Sequence, residues 1–138
     1  MDVFENFKNQ LKANPKTIVF TEGTDARILS AASKLLAGKI LNVLLLSNPE
    51  AVKKAAAEGG FDITGAEICD PTSYPEFDAM VAKMVELRKG KMTEEQCRAA
   101  LSKSNYFGTM LVKMGKADCL LGGATYSTAD TVRPALQL

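Results

Sequence analysis

Apolar residues along the chain follow two patterns, short continuous runs and longer stretches with helical spacing. The runs Thr17–Phe20, 43–46, 66–69 and 118–121 predict strands. They are short and mostly apolar rather than alternating, which is typical of strands covered on both faces. The four runs therefore predict a buried sheet.

Helical spacing fills the intervals between these runs. The predicted helices cover residues 3–11, 28–36, 48–59, 75–89 and 106–114, and two more begin at Thr93 and at Ser127. Asn48 and Pro49 suit a helix start, and Thr93 with Gln96 forms a capping box. Strands alternating with helices predict one α/β domain over residues 1–138, a three-layer α/β/α sandwich with a mostly parallel sheet.

Composition places the chain among globular proteins and excludes a global electrostatic role. The 138 residues are 46% hydrophobic and carry a net charge of +1. No overall field attracts nucleic acid or an anionic membrane, so any anion site must be local. Residues 43–46 are too short to span a bilayer, and the N-terminus lacks the pattern of a signal peptide.

The chain has no histidine and three cysteines. The missing histidine removes the commonest general base and the commonest metal ligand, and no metal site is predicted. Cys69, Cys97 and Cys119 lack CxxC spacing, which favours reduced thiols in a cytoplasmic protein. We expect Cys119, in a predicted strand, to be buried and inert.

Two turns that follow strands and precede helices, residues 21–27 and 122–130, are candidates for binding. Ligands of open α/β sheets lie beyond the carboxyl ends of the strands. Neither turn matches a dinucleotide or P-loop motif. In the second turn, the spacing of Ser127 and Asp130 predicts a helix cap, with Thr128 adding a hydroxyl. A helix start that follows glycines suits an anion.

Arg133 follows one to two turns into that helix. Helical side chains lean towards the N-terminus, so its guanidinium could reach the same anion. Pro134 should kink or loosen the helix if Ser127 is the cap, and is easier to place if the helix starts near Asp130. An ordinary capped helix with a surface arginine is the alternative. Asp25 and Arg27 are expected to pair or cap locally.

Residues 123–137 closely resemble a signature of the phosphate acetyltransferases. Residues 105–110 and 86–93 resemble two further signatures of that family. Other matching positions are Glu22, Gly23, Asp25, Arg27 and residues 48–50. The resemblance implies reversible acetyl transfer between coenzyme A and phosphate, with acetyl phosphate as the other product. It also implies no metal and no tightly bound cofactor, coenzyme A and acetyl-CoA being substrates.

The resemblance also assigns roles to four residues of this chain. Arg88 and Arg133 match arginines that bind phosphate or acetyl phosphate and stabilise transition-state charge. Ser127 and Thr128 match hydroxyls near the phosphate. Tyr126 stands where the family often has histidine, which makes a histidine-based mechanism untenable here.

Members of the family are a little over twice as long as this chain, and their fold resembles that of isocitrate and isopropylmalate dehydrogenases. We expect residues 1–138 to be most of the first of two domains. The second domain, the C-terminal return, the main dimer contact, a Ser-Arg pair and a basic Asp would then lie outside this sequence. The last helix is still apolar at Leu138, which also suggests further chain. Negligible turnover and weak phosphate affinity are expected of these residues alone.

Three alternatives stay open at this point. They are a phosphate butyryltransferase-type enzyme, an acyl-CoA-sensing module and a simple phosphate-binding module. The match over residues 127–134 favours the acetyl enzyme. All four interpretations imply small-molecule partners and neither nucleic acid nor membrane.

Overall fold

The computed structural model describes residues 2–138. Strands and helices alternate along the chain as the apolar pattern predicts. The helices are α1 (Val3–Ala13), α2 (Ala26–Ala37), α3 (Pro49–Gly59), α4 (Phe77–Arg88), α5 (Glu94–Leu101), α6 (Ser104–Lys113) and α7 (Thr128–Gln137). The strands are β1 (Thr17–Phe20), β2 (Asn42–Leu46), β3 (Glu67–Cys69) and β4 (Cys119–Leu121), and Pro71–Ser73 form a 3-10 turn.

The four strands form one parallel sheet in the order β3-β2-β1-β4. Ile18 of β1 lies opposite Val43 of β2 on one side and opposite Cys119 of β4 on the other. The first three strands advance in one direction, and β4 then returns to the opposite side of β1. The strand order therefore reverses between β1 and β4, and a reversal of this kind opens a crevice at the carboxyl ends of the strands.

Alternate side chains of the strands build two cores, one on each face of the sheet. Val19, Leu44 and Leu46 pack with the buried residues of α4, α5 and α6. Phe20 and Leu45 belong to the opposite core, which α2 and α3 cover. The predicted three-layer sandwich is confirmed. The central strands β1 and β2 are buried as predicted. The expectation of a sheet buried throughout is wrong for the edge strands β3 and β4, which contain no buried residue.

Local signals fix most helix starts where the sequence predicts them. The Asn48 side chain accepts from the Ala51 amide at 3.1 Å, with Pro49 as the first helical residue. Thr93 and Gln96 form both bonds of the capping box. Helix α6 starts at Ser104, two residues before the predicted start, because its polar first turn adds nothing to the apolar pattern.

Strand β4 lies at an edge of the sheet, and this overturns the expectation for Cys119. The Cys119 side chain is exposed in the structure of residues 2–138, whereas Cys97 is fully buried. All three thiols are free. Helix α1 buries none of its residues, and no helix within residues 2–138 is long and apolar enough to cross a membrane.

Candidate active site

The crevice between β1 and β4 is filled by a carboxylate of the chain itself. Glu22, in the turn after β1, accepts from the amides of Gly123 at 2.7 Å and Ala124 at 2.9 Å. Its second oxygen accepts from the amide and the hydroxyl of Thr125. The amides of this turn therefore bind the carboxylate of Glu22, and the prediction that the turn and the start of α7 bind a substrate anion stays a prediction.

These bonds also set the charge state of Glu22. Burial raises the pKa of this carboxyl, but the bonds from the Thr125 hydroxyl and from three backbone amides together outweigh it. The pKa of Glu22 consequently lies below its ordinary value, and the side chain is ionised at neutral pH.

Asp25 and Arg27 form a second link between the same two turns. The Asp25 carboxylate caps α2 by accepting from the Arg27 amide at 2.8 Å and pairs with the Arg27 guanidinium at 2.9 Å. This hydrogen-bonded pairing lowers the pKa of Asp25 to about 2. Arg27 also donates to the Ala124 carbonyl at 2.8 Å. The predicted local pairing is confirmed, and the contact with the second turn adds to it.

Thr21 and Tyr126 make the third link. Their hydroxyls share a hydrogen bond of 2.6 Å, and Thr21 is only 2% exposed. Burial raises the pKa of the Tyr126 phenol above its ordinary value. A Cβ atom on Gly122 would lie 2.0 Å from the Tyr126 hydroxyl and 2.3 Å from the Thr21 hydroxyl. Only glycine at this position allows the two hydroxyls to meet.

Helix α7 begins where the sequence predicts. The Ser127 hydroxyl accepts from the Asp130 amide at 3.2 Å and donates to the Asp130 carboxylate at 3.0 Å. Thr128 is the first helical residue and is exposed. With Ser127 as the cap, Pro134 lies inside the helix.

Pro134 has no amide to donate to the carbonyl of Asp130, one turn earlier. The side-chain amide of Asn105, from α6, donates to that carbonyl at 2.8 Å instead. A neighbouring helix thus replaces the hydrogen bond that the proline removes. The helix runs on to Gln137 despite the interior proline.

Arg133 lines a pocket of about 440 Å³ between α6 and α7. Its guanidinium is half exposed and lies 3.2 Å from the Asp130 carboxylate. The lining residues are Lys103, Ser104, Asn105, Tyr106, Tyr126, Asp130 and Arg133. We call this cavity the Arg133 pocket.

The other side of the Arg133 pocket is also suited to an anion. Lys103 has no ion-pair partner among residues 2–138. It immediately precedes α6, whose first turn has neither a side-chain cap nor an acidic residue. The amides of this helix start are therefore free to donate, and the helix dipole adds positive potential. Two cations and a helix N-terminus converge on one cavity.

Arg88 lies at the other end of α7 and does not line the Arg133 pocket. One of its terminal nitrogens donates to the Gln137 carbonyl at 3.2 Å, while its Nε is buried and has no hydrogen-bond partner within residues 2–138. The Tyr106 hydroxyl donates to the Gln137 side chain at 2.7 Å. Arg133 thus belongs to α7, whereas Arg88 contacts the C-terminal end of that helix, and the structure does not bring the two predicted arginines into one pocket.

A larger cavity of about 630 Å³ lies beyond the carboxyl ends of β1, β2 and β3 and shares Ser104 with the Arg133 pocket. Its lining includes the carboxylates of Glu22, Asp25 and Asp70 and no basic side chain. A negative group is accordingly favoured in the Arg133 pocket rather than here. Within residues 2–138 no cluster of three His, Cys, Asp or Glu side chains could hold a metal ion.

Sequence reasoning missed Lys103, Ser104 and the role of Glu22. The signal for Lys103 was present, since a basic residue stands before a helix start that lacks a capping side chain. No local signal marks Glu22, because its partners lie more than 100 residues further along the chain.

A model of the phosphate acetyl/butaryl transferase family matches residues 2–138. The chain belongs to this family. It is 47% identical over 137 residues to the phosphate acetyltransferase of Bacillus subtilis (strain 168), covering 99% of this chain and 42% of that protein. The corresponding enzyme of Staphylococcus aureus (strain MRSA252) is 42% identical with the same coverage.

Solved structures agree with the sequence relatives. A phosphotransacetylase from Streptococcus pyogenes superimposes with a TM-score of 0.93 at 41% identity, covering 99% of this chain and 43% of that one. The EutD phosphotransacetylase from Staphylococcus aureus gives a TM-score of 0.89 at 43% identity, covering 96% and 40%. The predicted family and fold class are confirmed. The chain spans about 42% of the length of the curated relatives it matches.

Proposed function

We propose that this chain provides the phosphate-binding part of an enzyme that reversibly transfers acetyl between coenzyme A and inorganic phosphate. The observation that carries the proposal is the Arg133 pocket, where Arg133, Lys103 and the uncapped start of α6 converge. The relatives at 42–47% identity named phosphate acetyltransferase support the acetyl reaction over its butyryl counterpart.

The chemistry explains why such a pocket is useful. A coenzyme A thiolate attacks the carbonyl carbon of acetyl phosphate, a C–S bond forms, and the C–O bond to phosphate breaks. Negative charge builds on the carbonyl oxygen and then on the departing phosphate. Fixed donors and cations stabilise that charge most effectively when they are already in place. Arg133 and Lys103 supply cations, and the amides of α6 supply donors.

Binding requires Arg133 to exchange one partner for another. Its present partner, Asp130, is half exposed, and such a pair contributes little to stability. Asp130 keeps its bonds with Ser127 when the arginine turns to phosphate. The exchange therefore costs little, and a doubly charged phosphate is the stronger partner.

Ser127, Thr128 and Arg88 take different parts in this proposal. The Ser127 hydroxyl is occupied by Asp130, so Ser127 orders the helix start. Thr128 is exposed at the start of α7 but does not line the Arg133 pocket, so its predicted contact with phosphate requires a substrate that extends beyond that pocket. Arg88 supports the far end of α7 and reaches phosphate only after it releases Gln137.

The thiol needs a base, and this sequence has no histidine. Tyr126 is unsuited to the task at neutral pH because its pKa is raised and its hydroxyl is bonded to Thr21. We expect the 138 residues alone to bind phosphate with negligible turnover. For the whole protein we propose acetyl-CoA, phosphate and acetyl phosphate as substrates, a homodimer and a cytoplasmic location.

Calorimetric titration with inorganic phosphate tests the proposal. The unmodified chain should release heat, and Arg133→Ala should weaken binding at least about tenfold, the loss expected of a charge-assisted contact. Arg98→Ala is the matched control, because Arg98 is similarly exposed and pairs with Asp78 and Glu94 outside the pocket. Absence of binding, or equal binding by Arg133→Ala, would refute the proposal.

A further inference from the structure

Glu22 receives four hydrogen bonds from a single tripeptide. Three consecutive backbone amides, those of residues 123–125, and the Thr125 hydroxyl all donate to its carboxylate. Consecutive amides that point to one side form a nest, an arrangement that binds anions. Here the nest is at the reversal of strand order and its occupant is a side chain of the preceding turn.

The nest is joined directly to the Arg133 pocket. Thr125, the last residue bound by Glu22, is followed by Tyr126, which lines the pocket, and by Ser127, which caps α7. Tyr126 is fixed at the same time to Thr21. The chain therefore connects the Glu22 carboxylate to the cap of α7 and, through the helix, to Arg133.

Occupation of the nest bears on the position available to phosphate under the proposed function. Without Glu22, three amides would face solvent at the crevice where ligands of this fold class normally bind. With Glu22 in place, that position is filled and negatively charged. The cationic pocket between α6 and α7 is then the more favourable position for phosphate.

We propose that Glu22 is the positioning residue of the phosphate site, an internal anion that fixes the turn at residues 122–125 and thereby the start of α7. The inference rests on the proposed function for its link to phosphate. Its structural part, the coupling of Glu22 to the first turn of α7, stands independently of any ligand.

Amide hydrogen exchange tests the structural part first. In Glu22→Ala, the amides of residues 123–125 should lose protection, and the amide of Asp130, which Ser127 caps, should lose it with them. The amides of α3 should keep their protection in Glu22→Ala. The control variant Glu58→Ala, at an exposed glutamate of α3, should leave the protection of residues 123–125 and of Asp130 unchanged. Unaltered protection at Asp130 would overturn the proposal. If Glu22→Ala does not fold, Thr125→Ala, which removes only the hydroxyl donor, serves for the same comparison.

Added acetate separates positioning from general loss of structure. In Glu22→Ala the phosphate affinity should fall at least about fivefold, and acetate should restore it by refilling the nest. In the unmodified chain acetate should leave phosphate binding unchanged or weaken it by competition at Arg133. Chloride at equal ionic strength controls for screening. An unchanged phosphate affinity in Glu22→Ala would overturn the proposal. Phosphate binding by the double variant Glu22→Ala, Arg133→Ala would also overturn it, because phosphate would then occupy the nest itself.

The two proposals fail in different ways. If the unmodified chain binds no phosphate but protection at Asp130 depends on Glu22, the proposed function is wrong and the positioning role of Glu22 stands. If phosphate affinity depends on Arg133 and is unchanged in Glu22→Ala, the proposed function stands and the positioning role is wrong.

Discussion

Gly122 is the residue at which the two turns approach each other most closely. Alanine there would place its Cβ 2.0 Å from the Tyr126 hydroxyl and force that side chain away from Thr21. We expect Gly122→Ala to lower the free energy of unfolding by about 1–3 kcal/mol, the usual cost of overpacking. Urea denaturation measures this loss. Tyr126→Phe removes the hydroxyl oxygen that the new Cβ would meet first, so Gly122→Ala should cost less in that background. An equal loss in both backgrounds would contradict a clash with the Tyr126 hydroxyl.

Asp25 should contribute to the loss of stability at acidic pH. Its folded pKa of about 2 lies below the ordinary value of 3.8. The stabilisation is therefore fully present above pH 3.8 and is lost as the pH falls towards 2. Asp25→Asn keeps a good capping residue but removes the titration, so its unfolding free energy should fall less steeply with acidification in this range. Urea denaturation at several pH values between these limits measures both slopes, and parallel curves for the two proteins would contradict the prediction.

At the scale of elements, α6 and α7 are joined by the hydrogen bond that compensates Pro134. Asn105→Ala leaves the Asp130 carbonyl without its partner and should cost about 1–3 kcal/mol. In a Pro134→Ala background the same change should cost less, because the alanine amide can donate to that carbonyl. A double-mutant cycle measured by thermal or urea unfolding gives the difference. Additive effects would show that the two residues act independently.

The accuracy of the sequence predictions followed the range of the interactions involved. Caps such as Asn48 and Ser127 depend on neighbours three residues away, so their helices begin where predicted. Exposure of Cys119 depends on strand order, which the apolar pattern does not contain. The contact of Glu22 with residues 123–125 depends on the same order, since it forms only because β4 lies beside β1.

At the scale of the whole molecule, strand order explains the position of the candidate site. The reversal between β1 and β4 brings the turn at residues 21–27 against the turn at residues 122–127, and Glu22, Arg27 and Thr21 join them. The side chain of Glu22 thus occupies the amides at this crossing, and the two basic residues of the Arg133 pocket lie beside it, Lys103 just before α6 and Arg133 on α7. A net charge of +1 offers no long-range attraction, so the proposed phosphate affinity would rest on this local arrangement alone.

Stability should also be distributed unevenly across the molecule. Helix α1 buries no residue, and Phe4 and Phe7 are 70% and 52% exposed. Phe4→Ser and Phe7→Ser should therefore each change the unfolding free energy by less than about 0.5 kcal/mol. Phe107→Ala is the matched control: Phe107 is fully buried, packs edge-on against Tyr74 at 5.2 Å, and should cost about 3–5 kcal/mol. A loss at Phe4 or Phe7 approaching that of Phe107 would mean that α1 packs against the domain in solution, contrary to the exposure of its apolar face.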